Sequence, residues 1–105
     1  MSLGDERRRF SRKIAVLVLV ANEMGYEVAY GRGYASEAAN AADGGHRKSV
    51  HLVGLGQDLN LYKDKVYITD GTGHKELHDV WDLMGGAERI ERDMNHYSFA
   101  WQGVR

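Results

Sequence analysis

The chain contains no cysteine and no proline. The first absence excludes disulfides, thiolate metal sites and cysteine nucleophiles, and it leaves no marker of the redox compartment. The second means that turns rest on the 13 glycines and on Asn, Asp and Ser. An excess of one charge is lacking too. The 14 Lys and Arg face 15 Asp and Glu, for a net charge of -1. That argues against a nucleic-acid binder, which carries a basic excess, and gives no global attraction to anionic membranes or cell walls. No long hydrophobic run is present. The stretch from Ile14 to Ala21 covers eight residues, far below the roughly 20 that span a bilayer. Arg7-Arg8-Arg9 before it gives the outline of a signal peptide, but Asn22-Glu23-Met24 follows where a small-x-small cleavage site would stand. The run therefore reads as a buried first helix, and the protein as one made in the cytoplasm and not inserted in a membrane.

A length of 105 residues suits a single domain, burying about two-thirds of its unfolded surface in a modest core. Residues 5–24 read as a helix, because Phe10, Ile14, Leu17 and Ala21 share one apolar face, with Val18 and Val20 widening it and Gly25 as the stop. Residues 26–30 alternate as a strand that Gly31-Arg32-Gly33 ends. Residues 36–42 read as a short alanine-rich helix with Ser36 as N-cap, and 43–48 as a flexible loop. One or two short strands are expected over 49–62, with Asp58, Asn60 and Tyr62 on one face. A turn at 63–65 leads into a hairpin strand at 66–68. A helix over 74–84 presents Leu77, Val80, Trp81 and Met84 to the core and stops at Gly85-Gly86. A last strand spans 97–101, with Tyr97, Phe99 and Trp101 as sheet core. The order predicts a small α+β domain with helices packed on an antiparallel sheet.

Two clusters carry the chemistry. Ser49-Val50-His51-Leu52-Val53-Gly54-Leu55-Gly56-Gln57-Asp58 and Asp93-Met94-Asn95-His96 offer two imidazoles and two carboxylates. A catalytic zinc takes three protein ligands and keeps a fourth position for water. His51, Asp58 and His96 suit the ligands, and Asp93, one turn before His96, suits a general base. As bare spacings, the same residues are open to blander readings: a structural histidine beside Leu52 and Val53, and an Asp-x-x-His that arises by chance.

Ser49, His51, Gly54, Leu55 and Asp58, then Leu59-Asn60-Leu61-Tyr62 and the late Asp93-Met94-Asn95-His96-Tyr97-Ser98-Phe99, resemble the zinc peptidases of bacterial cell walls. That family holds D-alanyl-D-alanine carboxypeptidases and dipeptidases and the phage endolysins that cut the L-alanyl-D-glutamate bond. The endolysin branch is the most similar. Arg8-Arg9-Phe10-Ser11-Arg12, Met24-Gly25-Tyr26-Glu27-Val28, the Trp81 helix, Gly85-Gly86 and Gly103-Val104-Arg105 extend the likeness over nearly the whole chain.

The resemblance implies a zinc site on the sheet of a D-alanyl-D-alanine carboxypeptidase/hedgehog-like fold. It also implies His51, Asp58 and His96 as ligands, Asp93 as the catalytic acid–base residue, and a peptidoglycan stem peptide as substrate. An enzyme of this branch, expected as a monomer, would stay in the host cytoplasm until lysis and would need a separate membrane-permeabilising protein to reach the wall. Ser49 is placed beside the ligands or facing substrate, with loop capping as the alternative. The sequence departs from the family at Ala35, where an arginine usually follows Gly-Tyr; Arg32 is the candidate to reach inward in its place. Gly56 replaces a small alanine, and the segment between Gly86 and Asp93 is short and lacks a tryptophan. These departures keep other readings in play: a non-catalytic zinc-stabilised module that binds cell wall or a partner protein, and a metal-free structural protein.

His74 and His78 stand at metal-capable i, i+4 spacing, but Lys75 occupies the place of the metalloprotease glutamate, so the pair reads as a solvated helix face. His46 reads as part of a surface loop. Gly31 and Gly33 form no phosphate loop, since no Gly-Lys-Ser/Thr follows.

Overall fold

A computed structural model describes residues 1–42 and 49–105. The 43–48 loop, with His46, lies outside the described residues.

The first helix, α1, runs Leu3–Glu23. It starts two residues earlier than periodicity suggests because Ser2 forms a capping box with Asp5: the Asp5 N–H donates to the Ser2 hydroxyl and the Asp5 carboxylate accepts from the Ser2 N–H. Its buried residues are Phe10, Ile14, Leu17 and Ala21, the four expected from the sequence. At the C-terminus the Gly25 N–H donates to Asn22 and the Tyr26 N–H to Ala21. These are the two bonds of a Schellman stop, with Gly25 at φ 96°.

Strand β1 (Glu27–Tyr30) leads to a short helix, α2 (Glu37–Ala42). Residues 50–53, expected to be extended, form a 3₁₀ turn instead. Ser49 accepts the His51 N–H at its start, and Gly54 closes it in the left-handed region at φ 73°. These two residues outweigh the β-branched character of Val50 and Val53.

Strand β2 (Gly56–Lys63) then pairs antiparallel with every other strand. Along one edge it meets β1, from Glu27↔Tyr62 to Tyr30↔Leu59. Along the other it meets β3 (Val66–Tyr67) and, nearer its own start, β4 (His96–Ser98). The β2–β3 turn has Asp64 and Lys65 both at positive φ, the primed geometry that suits a two-residue hairpin. The third long element, α3 (His74–Leu83), ends in a second Schellman stop: the Gly85 N–H donates to Asp82 and the Gly86 N–H to Trp81.

The last strand is shorter than expected. It stops at Ser98, and Trp101 pairs instead with Val104 in a tight terminal hairpin.

The core joins Phe10, Ile14, Leu17 and Ala21 of α1 with Leu77 and Trp81 of α3 over Leu59, Leu61, Tyr97 and Phe99. Leu59 and Leu61 face the helices, so the alternate positions Asp58, Asn60 and Tyr62 take the opposite face, as expected. The architecture is α+β, with α1 and α3 on one side of a small antiparallel sheet. No helix among the described residues is long and apolar enough to cross a membrane.

Candidate metal centre

Three elements bring the first cluster together. His51 comes from the 3₁₀ turn, Asp58 from β2, and His96 from the first position of β4, where it sits directly opposite Asp58. Opposed residues of an antiparallel pair share a face, so His96 and Asp58 meet. The His51 and His96 rings stand 5.0 Å apart, and one ligand-capable atom from each of the three side chains lies within 4.8 Å of the others. Asp58 Oδ1 is 3.4 Å from His51 Nε2 and 3.3 Å from His96 Nδ1. Both imidazoles are buried, and the carboxylate is 16% exposed. This group can hold a metal ion.

The orientation of His51 supports that reading. Its Nδ1 lies 2.9 Å from the Gly33 carbonyl, which can only accept, so Nδ1 carries the proton. A neutral His51 therefore turns the Nε2 lone pair toward a carboxylate, and Nε2 has no hydrogen-bond partner among the described residues. Two electron-pair donors at that distance repel unless a proton or a cation stands between them. Burial pushes the Asp58 carboxyl up, but when His51 and His96 carry protons toward it, their hydrogen bonds and charge outweigh burial and lower it to about 2.

Gly33 contributes through its backbone, which no side-chain pattern announces. The 31–33 segment, expected only to end β1, runs on beside β2. The Gly31 N–H donates to the Asp58 carbonyl, and the Asp58 N–H donates to Arg32. A Cβ at Gly33 would come within 2.6 Å of Gln57 Oε1, so the end of that side chain would have to shift to admit one. Arg32 thus flanks Asp58 by its main chain. Ser49 is buried and caps the turn that carries His51. Ala35, also buried, donates its N–H to the His51 carbonyl.

Asp93 lies outside the three-residue group. It is exposed, its carbonyl accepts the His96 N–H in the 93–96 turn, and it lines a polar groove of about 290 Å³ with Asp70, His74 and Arg92.

The sequence reading of His74 and His78 is corrected: both are buried and face β4. His74 Nδ1 sits 2.7 Å from the Tyr97 hydroxyl. His78 stacks on the Tyr97 ring at 4.1 Å and donates from Nε2 to the Met94 carbonyl at 2.7 Å. Burial lowers both imidazoles, His74 to about 4, and raises the Tyr97 phenol, so all three are neutral near pH 7. The signal available in the sequence was their register with Trp81: positions 74, 77, 78 and 81 form one stripe.

Comparison with known protein families finds no matching family, and comparison with curated proteins finds no match.

Proposed function

We propose that this chain is a zinc-dependent peptidase of the cell-wall peptidase fold it resembles, hydrolysing peptidoglycan stem peptides at the L-Ala-D-Glu bond as a monomer. The observation that carries the reading is the spacing around Asp58. Two ligands each about 2.0–2.1 Å from a tetrahedral zinc stand roughly 3.3–3.4 Å apart, and Asp58 Oδ1 lies 3.4 and 3.3 Å from the two imidazole nitrogens. His51 supplies Nε2, Asp58 Oδ1 and His96 Nδ1.

Zinc held there would act as a Lewis acid on the scissile carbonyl and lower the pKa of a water from about 15.7 toward about 7. Gly33 fixes the tautomer and direction of His51, as partners of metal-bound histidines commonly do. Asp93, exposed one turn from His96, takes the proton of the attacking water and passes it to the leaving amine. Arg32 is the proposed substrate contact. Ser49 acts by shaping the His51 turn. In this reading the protein waits in the host cytoplasm until lysis.

The test pairs zinc analysis of the purified protein with mass spectrometry of treated peptidoglycan. Asp93→Ala should keep its zinc and lose about 100-fold or more of turnover; His96→Ala should lose both. Zinc-free wild type after zinc dialysis, or an Asp93→Ala variant with full lytic activity, sinks the corresponding assignment. Release of terminal D-Ala alone would move the activity to D-alanyl-D-alanine cleavage.

A second reading has one observation in its favour. Ala35 is buried where the family carries arginine, and a zinc-stabilised module that binds cell wall or a partner without cutting needs no such arginine. Zinc binding with unaltered peptidoglycan fragments would select it.

A further inference from the structure

Helix α3 grips β4 and the turn before it through one stripe of side chains. His74 reaches the Tyr97 hydroxyl at 2.7 Å, His78 the Met94 carbonyl at 2.7 Å, and Trp81 Nε1 the Ser98 carbonyl at 3.0 Å. Two of these bonds hold β4 itself. The His78 bond alone among them holds the 93–96 turn, which carries both Asp93 and His96. On its far side that turn is tied to β2, where the Leu59 N–H donates to the Asn95 carbonyl and Asn95 Nδ2 to Asn60 Oδ1. Met94 is thus fixed from the helix and Asn95 from the sheet, and His96 follows directly.

We propose that His78 is a positioning residue for the metal centre: its Nε2–H, held by the stack on Tyr97, fixes the Met94 carbonyl and thereby the direction of His96. This rests on the metal reading above. Three features support a dedicated role. The ring is 1% exposed and so closed to bulk solvent. A carbonyl only accepts, so the proton sits on Nε2 and the buried Nδ1 is left with no hydrogen-bond partner among the described residues. An apolar side chain at this position would fill the same space without that cost. The retained imidazole is explained by the one bond it donates.

The test compares three proteins. His78→Phe keeps the ring stack and removes the donor. His78→Gln restores an N–H near the Nε2 position. Zinc affinity is measured by competition with a chromophoric chelator, and ligand geometry by the visible absorption of the cobalt(II)-substituted protein. His78→Phe should bind zinc about tenfold or more weakly with an altered cobalt spectrum. His78→Gln should bind within about threefold of wild type and recover the spectrum, a rescue that simple core filling would not produce. Equal affinity and equal spectra in wild type and His78→Phe overturn the positioning role and leave the metal centre standing. A wild type that binds neither ion overturns both. Should His78→Phe fail to fold, the wild-type tautomer decides. Nitrogen-15 correlation spectra showing a slowly exchanging Nε2 proton on His78 support the proposal, and a proton on Nδ1 overturns it.

Discussion

At the scale of single residues, pH acts most directly on His74. Burial, and next the neighbouring His78, hold its imidazole at about 4 against 6.5 for the free group, while Asp70 pulls weakly the other way. Above pH 6.5 folded and unfolded chains both carry it neutral. Between pH 6.5 and 4 the unfolded chain binds a proton that the native state refuses, so stability falls as the medium acidifies, by up to about 3 kcal/mol. His78 shifts in the same direction. Asp58, lowered to about 2 from 3.8, adds a separate loss only below pH 3.8. Chelator-treated wild type should therefore lose Tm steadily from pH 7 to 4. His74→Gln should be less stable at pH 7 and flatter across that window, and a variant profile parallel to the wild type would refute the assignment. Some of this scale was legible in the sequence. The grouping of His51, Asp58 and His96 was legible because the capacity to hold a metal depends on side-chain type. The Gly33 carbonyl did not, since every residue has one. His74 and His78 were misplaced because an imidazole counts as polar until a Tyr97 or a Met94 is found beside it.

At the scale of elements, local rules worked where the partners lie nearby in sequence. The α1 stripe follows from helical period, and the stop from the left-handed freedom of Gly25. The 50–53 segment did not, because its conformation is set by one capping hydroxyl at Ser49 and one left-handed residue at Gly54, not by average propensity. The end of α3 offers a sharp check. A Cβ on Gly86 would collide with the Trp81 indole, which is fully buried and bonded to Ser98. Gly86→Ala should cost about 2 kcal/mol or more, read as a lower urea midpoint with an unchanged slope. Gly25→Ala meets no atom within 4 Å and is opposed only by its φ of 96°, so about 1 kcal/mol is expected. Equal midpoints for Gly86→Ala and wild type would show that the close approach is absent.

At the scale of the whole molecule, a small core leaves room for a metal to matter. The three metal-capable side chains come from the 3₁₀ turn, β2 and β4, and a shared ion would tie these elements together. A cation that binds only the folded form at 1,000 times its dissociation constant adds about 4 kcal/mol. In a domain of this size that should raise Tm by more than about 10 °C. A thermal scan with zinc and then with excess chelator measures it; coincident curves would rule out a metal in the folded state. The class and order of elements were readable from alternation and period. The pairing pattern was not, because strand partners are chosen by contacts between distant segments, which hydrophobic period does not report.

That pattern has a kinetic corollary. With β2 threaded between β1 on one flank and β3 and β4 on the other, its central amides have no route to solvent short of dismantling the sheet. The Leu59 and Leu61 amides should therefore be the last to exchange with deuterium, and their rates should read out the global unfolding free energy.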